Sequence, residues 1–304
     1  MRYAKYAAVV IAAALTLSLC GCPPLSPGVS RVQNLVYGTG YVAASSTGAF
    51  QQKDLLYDLI EMDSTADSRP AVLMIHGGRF ERGSKEEEEL VRLADALALA
   101  GYACFLTDYR LKGDNPPAPD DWSPDADSPI FAALDLREAL HAAFVDAKTA
   151  MRYIRANARS LRVDPGRIAI LGTSAGAFAA LAAGLTGDNL FSSDGPGFPV
   201  PEENNPGVST RPAAIIDLWG SAAPVINAFD SSDPPIMIVH GSLDFTVGLS
   251  LGPAIEIRDK CIENNIPYAY YPIAGAEHGA WDAEVDGKKL AELTIDFLNT
   301  HLGG

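Results

Sequence analysis

Residues 172–176 read G-T-S-A-G and lie between an apolar run at 167–171 and an alanine-rich run at 177–183. The first run predicts a buried strand and the second a helix, so Ser174 stands on the turn between them. On so sharp a turn the hydroxyl projects from the backbone, and the flanking glycines are needed because a Cβ there would collide with the neighbouring strand and helix. The pentapeptide alone is weak evidence, but in this strand-turn-helix context it predicts that Ser174 is a nucleophile.

The rest of the chain alternates strand and helix patterns, which predicts an α/β fold with a mostly parallel sheet covered on both faces. Residues 32–62 favour two or three antiparallel opening strands. Further strands are predicted at 71–75, 102–107, 168–171, 213–218, 236–239 and 268–271. Helices are predicted after an N-cap at Ser84, and at 134–141, 146–158, 253–264 and 288–301. The glutamates at 86–89 indicate a solvated helix start near the positive end of the helix dipole.

Two long segments rich in proline, glycine and aspartate, 112–127 and 187–212, predict loops. We expect both to emerge from the carboxyl ends of strands, where ligands bind in open α/β sheets. Loops of this length are usually functional or disordered, and we interpret them as walls of a substrate pocket.

The N-terminus has the pattern of an export signal. Arg2 and Lys5 precede an apolar run at 7–19, which is too short to span a bilayer. The following L-C-G-C at 19–22 resembles a bacterial lipobox, with Cys22 as the expected lipidation site and Cys20 as the second choice. An ordinary secretory signal is the alternative. We therefore expect a signal peptide at 1–21, a Pro-rich tether at 22–31 and a single domain at 32–304, exported and held by lipid in a bacterial cell envelope on its periplasmic or outer side.

Charge and cysteine content exclude several functions. The formal net charge is −15, and losing Arg2 and Lys5 with the signal makes the chain more acidic. Such a charge argues against nucleic acid and against anionic lipid headgroups as partners. We find no Cys/His zinc spacing and no sign of a disulfide framework, so no metal or organic cofactor is implied.

A serine nucleophile needs a base, and the base needs an orienting acid. In a fold of this kind the acid and then the base follow the serine. His278 lies downstream of Ser174 in a glycine-flanked loop after the last predicted strand, and we expect it to be the base. Asp244 follows a buried strand by four residues and is the favoured acid. Asp217, Asp230 and Asp233 are its rivals. The other histidines are His76, His141, His240 and His301.

Acyl transfer also needs donors for a developing oxyanion. One donor should be the N–H of Ala175, the residue after the nucleophile. The others should come from Gly77, Gly78 and Arg79, which follow the first long strand, because glycine lets the main chain approach a substrate closely.

Taken together, these motifs resemble those of bacterial α/β-hydrolase carboxylesterases of the hormone-sensitive-lipase-like and feruloyl-esterase-like kind. The matching segments are H-G-G at 76–78, D-Y-R-L at 108–111, D-P-G-R-I at 164–168, G-T-S-A-G at 172–176, H-G-S-L-D at 240–244 and E-H-G at 277–279. The resemblance covers about residues 50–300. It implies an eight-stranded sheet, ester hydrolysis through an acyl-enzyme, and Ser174, Asp244 and His278 as nucleophile, acid and base.

The expected substrates are small acyl or aryl esters, with acylated carbohydrates among the candidates. Two alternatives remain: a serine peptidase of the prolyl-oligopeptidase type, and an inactive envelope lipoprotein that binds a ligand. The chain departs from the family at Arg79, where relatives commonly have a small residue. We expect Arg79 or Arg82 to favour acidic or polar substrates.

Overall fold

The computed structural model describes residues 23–44, 48–63, 67–124 and 135–303. Eight strands form one sheet: β1 (Val29–Ala43), β2 (Phe50–Met62), β3 (Arg69–Ile75), β4 (Ala103–Thr107), β5 (Val163–Thr173), β6 (Ile215–Leu218), β7 (Ile236–Gly241) and β8 (Tyr268–Ile273). Their order is β1-β2-β4-β3-β5-β6-β7-β8. The β1–β2 and β2–β4 pairs are antiparallel, and all other pairs are parallel. The expected eight-stranded, mostly parallel sheet is confirmed.

Helices cover both faces of this sheet. They are α1 (Glu88–Leu99), α2 (Arg137–Ala156), the short α3 (Ala158–Leu161), α4 (Ala175–Leu185), α5 (Gly252–Asn264) and α6 (Leu290–Leu302), with a small ribbon of β9 (Glu284–Val285) and β10 (Lys288–Lys289) before α6. One core contains residues of α2, α4 and α5, and the other contains residues of α1 and α6. In β3, Leu73 and Ile75 enter the first core while Val72 and Met74 enter the second, because side chains alternate across a strand.

Two helix predictions differ from the structure. The predicted helices 134–141 and 146–158 are one helix, α2, because residues 142–145 are buried, mostly apolar, and contain no proline or glycine to interrupt it. The N-cap prediction at Ser84 is wrong. The Ser84 hydroxyl accepts the Glu86 N–H at 3.3 Å, whereas α1 begins at Glu88 with Glu87 in the N-cap position.

The N-terminal segment packs against the domain from an earlier residue than expected. Strand β1 begins at Val29, so residues 29–31 of the expected tether belong to the sheet. The N–H and hydroxyl of Ser26 donate to the Asp95 carboxylate of α1 at 2.8 and 2.6 Å. The expected signal peptide and Cys22 lie outside the described residues. Of the helices within the described ranges, none has both the length and the apolar character needed to cross a bilayer.

Candidate active site

Three side chains from separate loops form a continuous chain of hydrogen bonds at the carboxyl edge of the sheet. The Nε2 atom of His278 lies 2.8 Å from the Ser174 hydroxyl, and its Nδ1 atom lies 2.8 Å from Asp244 Oδ2. Ser174 follows β5, Asp244 follows β7 and His278 follows β8. The structure therefore brings together the three residues expected from the sequence, although up to 104 residues separate them along the chain.

The Ser174 turn has the sharp geometry that its sequence predicts. Ser174 has φ 50° and ψ −117°, a conformation that non-glycine residues rarely adopt, and it is the N-cap residue of α4. A Cβ at Gly172 would collide with the carbonyl group of Gly176, and one at Gly176 would collide with the carbonyl oxygens of Ile75 and His76. Both glycines are therefore required by close backbone approach, and the backbone holds the hydroxyl in place.

Asp244 is the buried acid of this arrangement. Its Oδ1 accepts the Thr246 N–H at 2.9 Å, and its Oδ2 accepts from His278. Burial alone would raise the pKa of Asp244, but the hydrogen bonds from His278 and from the Thr246 N–H outweigh it and hold the pKa below its usual range. Asp244 is therefore ionised at neutral pH and accepts hydrogen bonds through both oxygens.

The three rival aspartates have other partners. Asp217 lies in β6 and accepts the Gly220 N–H at 2.9 Å. Asp233 accepts the Asp230 N–H at 2.8 Å, and Asp230 accepts from Ser232. Within the described part of the chain, His278 has a carboxylate contact only with Asp244.

The loop after β3 supplies backbone donors beside the serine. Gly77 packs against the turn, since a Cβ on it would lie 3.3 Å from Ser174 Cβ. Gly78 has φ +114°, which favours glycine, and Arg79 has φ 61°. The N–H groups of Gly78, Arg79 and Ala175 donate to no acceptor among the described residues, and Ala175 is the first residue of α4, where N–H groups lack helical partners.

Gly77 has polar contacts of its own, and its expected role as an oxyanion donor stays a prediction. Its N–H interacts with the Glu87 carboxylate, while its carbonyl oxygen accepts the Tyr109 hydroxyl at 3.3 Å and lies 2.6 Å from His76 Nδ1. Burial raises the pKa of Glu87, against the lowering effect of the Gly77 hydrogen bond. One oxygen of Glu87 is fully buried, so the expectation of a solvated helix start is wrong for this glutamate.

Comparison with known proteins identifies the fold. A family model, BD-FAE, matches residues 134–223, which include the Ser174 turn. The butyrate-bound structure of a thermophilic esterase from Thermogutta terrifontis has a TM-score of 0.63 at 21% identity, covering 91% of this chain and 95% of that one. A truncated carbohydrate esterase from gut microbiota has a TM-score of 0.64 at 17% identity, covering 90% of this chain and 97% of that one. This chain has the α/β-hydrolase fold.

One curated relative matches part of this chain. The quorum-quenching protein AidA of Acinetobacter baumannii (strain MDR-ZJ06) is 29% identical over 160 residues, which cover 52% of this chain and 45% of that protein. The chain therefore spans less than half of the length of that relative. The resemblance to bacterial α/β-hydrolase esterases that the motifs indicate is confirmed.

Two further histidines of this chain lie beside these groups. His76 is buried and its ring stacks on that of Tyr109 with centroids 4.4 Å apart. His240, at the end of β7, is fully buried, and its Nε2 atom lies 3.3 Å from Asp244 Oδ2. Both histidines directly precede a glycine at a strand end, which is the only sequence signal that marks them.

The two long loops also meet, although one of them does not begin where it was expected. Segment 112–127 follows β4 as expected, whereas 187–212 follows α4 and leads into the amino end of β6. Residues of both loops, among them Trp122 and Phe191, line a cavity of about 530 Å³ together with His141. Ser174, Asp244 and His278 are not among its lining residues. Among the residues described, no cluster of three or more His, Cys, Asp or Glu side chains could hold a metal ion.

Proposed function

We propose that this α/β-hydrolase is a serine carboxylic-ester hydrolase, with Ser174 as nucleophile, His278 as general base and Asp244 as orienting acid. The observation that carries the proposal is the chain of two 2.8 Å contacts from Asp244 through His278 to the Ser174 hydroxyl. A serine that is strained into a turn and paired with a carboxylate-bound imidazole has the geometry of an activated nucleophile.

In the first step Ser174 Oγ attacks the ester carbonyl carbon and its proton passes to His278 Nε2. Asp244 accepts the Nδ1–H of His278, which fixes the tautomer with a free Nε2 and stabilises the imidazolium that forms. The carbonyl oxygen becomes an oxyanion, which the N–H groups of Gly78, Arg79 and Ala175 stabilise because they have no other acceptor.

In the second step the tetrahedral intermediate collapses and the C–O bond to the alcohol breaks. The leaving alcohol takes the proton from His278 Nε2, and the acyl group remains on Ser174 Oγ. Water then attacks the acyl carbon while His278 Nε2 removes one of its protons. The bond from the acyl carbon to Ser174 Oγ breaks, Oγ takes the proton back from His278, and the carboxylic acid leaves.

The substrates we propose are small acyl or aryl esters, including acylated carbohydrates. The support comes from the similar structures, one of which is an esterase with bound butyrate or propionate and another a carbohydrate esterase. The same Thermogutta esterase, at 22% identity and a TM-score of 0.60, is also known phosphorylated by paraoxon. An activated serine in this chain should react with organophosphorus probes as well.

The test uses the purified full-length chain with p-nitrophenyl acetate, a dipeptidyl anilide and a fluorophosphonate probe. We expect ester turnover and labelling of Ser174, and Ser174→Ala should abolish the labelling and lower turnover by roughly 10⁴- to 10⁶-fold. Turnover of the anilide in preference to the ester would instead indicate a peptidase. A properly folded chain without labelling or turnover would refute catalysis and favour a binding lipoprotein.

We also propose that the mature chain is anchored in the bacterial cell envelope by lipid on Cys22. The support is the sequence pattern at 1–22 alone. Cells fed a labelled fatty acid should incorporate it into the wild type and the Cys20→Ser variant but not into Cys22→Ser. Incorporation that persists in Cys22→Ser would contradict this site.

A further inference from the structure

A second histidine lies against the acid of the proposed triad. His240 Nε2 is 3.3 Å from Asp244 Oδ2, the oxygen that also accepts the Nδ1–H of His278 at 2.8 Å. His240 is fully buried, and neither of its ring nitrogens makes a hydrogen bond with the described residues, so the 3.3 Å approach is a charge–dipole contact without hydrogen-bond alignment. Two imidazoles therefore meet at one carboxylate oxygen.

The charges around this contact determine the protonation and the tautomer of His240. Burial lowers the pKa of His240, the Asp244 charge raises it and His278 lowers it; these two are the titratable groups that act on the ring. A neutral imidazole presents either an N–H or a lone pair at Nε2. A lone pair near a carboxylate would be repelled, so the tautomer that fits carries its proton on Nε2 and places the positive end of the N–H dipole near Asp244 Oδ2.

The backbone holds His240 in this place. It lies opposite Pro272 in the β7–β8 pair, and a Cβ on the adjacent Gly241 would press against the carbonyl oxygens of Ala276 and Glu277. The end of β7 is therefore packed against the loop that carries His278. A shift of the His240 backbone away from Asp244 would disturb that loop.

We propose that His240 is a positioning residue that acts through Asp244: it holds the carboxylate and draws charge from Oδ2, which sets the basicity of His278. This inference rests on the proposed esterase function. Without the His240 dipole, the Asp244 charge would act on His278 more strongly and the imidazolium would persist to higher pH. The acid limb of the pH–rate profile should then move upward.

The test compares His240→Leu, which removes the dipole, with His240→Gln, which keeps an N–H donor. We measure kcat/KM for p-nitrophenyl acetate from pH 5 to 9. For His240→Leu the midpoint of the acid limb should rise by about half a pH unit to one pH unit. The ratio of kcat/KM in the variant to kcat/KM in the wild type should then be about 3- to 10-fold lower at pH 6 than at pH 9. His240→Gln should restore much of the wild-type midpoint.

The matched control is His141→Leu, which removes another buried histidine whose Nδ1 lacks a partner among the described residues. It should leave the midpoint of the acid limb where it is in the wild type. A His240→Leu variant that loses activity equally at every pH, or whose midpoint falls, would overturn the proposal.

A readout without turnover separates this inference from the proposed function. In the Ser174→Ala background, NMR follows the titration of the His278 ring with His240 or with Gln or Leu at that position. If the wild type hydrolyses no ester, the proposed function fails, but the titration still measures the coupling. A His278 midpoint that is the same with His, Gln and Leu at position 240 would refute the role of His240. This comparison needs folded protein but no turnover, so it remains decisive if His240→Leu is too slow for kinetics.

Discussion

The buried carboxyl of Asp217 should make the stability of the protein fall as pH rises. Asp217 lies inside the sheet with no exposed surface, and one oxygen accepts the Gly220 N–H. Its other oxygen has no partner among the described residues. Burial raises the pKa of Asp217 from 3.8 to about 7, with a smaller opposing effect from the Gly220 hydrogen bond. The carboxyl is therefore protonated in the folded protein at mildly acidic pH.

The size of the effect follows from the difference between the folded and unfolded pKa. Between pH 4 and pH 7 the folded protein keeps a proton that the unfolded chain has lost, so the free energy of unfolding falls as pH rises. The slope is about 1.4 kcal/mol per pH unit, and a difference of about three units amounts to about 4 kcal/mol. This stability is fully present below the unfolded pKa of 3.8 and is lost as pH rises through about 7.

Urea unfolding of the wild type and Asp217→Asn at pH 5, 6, 7 and 8 measures this contribution. The variant should lack it, so its stability relative to the wild type should improve by about 1.4 kcal/mol per pH unit between pH 5 and pH 7. Asp230→Asn is the control. Hydrogen bonds from Ser232 lower the pKa of the exposed Asp230, so its carboxyl is ionised in both states from pH 5 to pH 8 and this variant should run parallel to the wild type. Parallel pH curves for the wild type and Asp217→Asn would refute the reasoning.

Three other predictions concern the site and its support. Asp244→Asn should lower kcat by about 10⁴-fold with little change in folding, because His278 would no longer be held in the productive tautomer; a loss below tenfold in steady-state assays would contradict this. Gly176→Ala should reduce the free energy of unfolding by about 1–3 kcal/mol or more, because the new Cβ would collide with backbone atoms. Gly187→Ala should be tolerated, because a Cβ there meets open space. Equal urea midpoints for the two variants would contradict the packing argument. Arg79→Ala should lower kcat/KM for carboxylate-bearing esters relative to neutral ones, because the partly exposed Arg79 guanidinium lies beside the proposed oxyanion donors. An unchanged ratio of the two kcat/KM values would contradict this prediction.

Much of the fold could be predicted from the sequence because its signals are local. The apolar run of β3 and the glycines around Ser174 are patterns of residues only a few positions apart. The structure has a buried strand at the first and a strained turn at the second. The boundaries of helices are harder to predict from the sequence. The break expected between residues 141 and 146 is absent because the intervening side chains are buried by neighbouring elements, which a local pattern does not report.

The sequence by itself determined the alternation of strand and helix, the sharp turn at Ser174 and a short set of acids and bases. Only the tertiary structure decided that Asp244, and not Asp217, meets His278, that one oxygen of Glu87 is buried, and that His240 lies 3.3 Å from Asp244. The physical reason is that the partners of these groups come from separate loops or elements. Which of them approach within hydrogen-bond distance, and how much water each loses, depends on how the strands and helices pack.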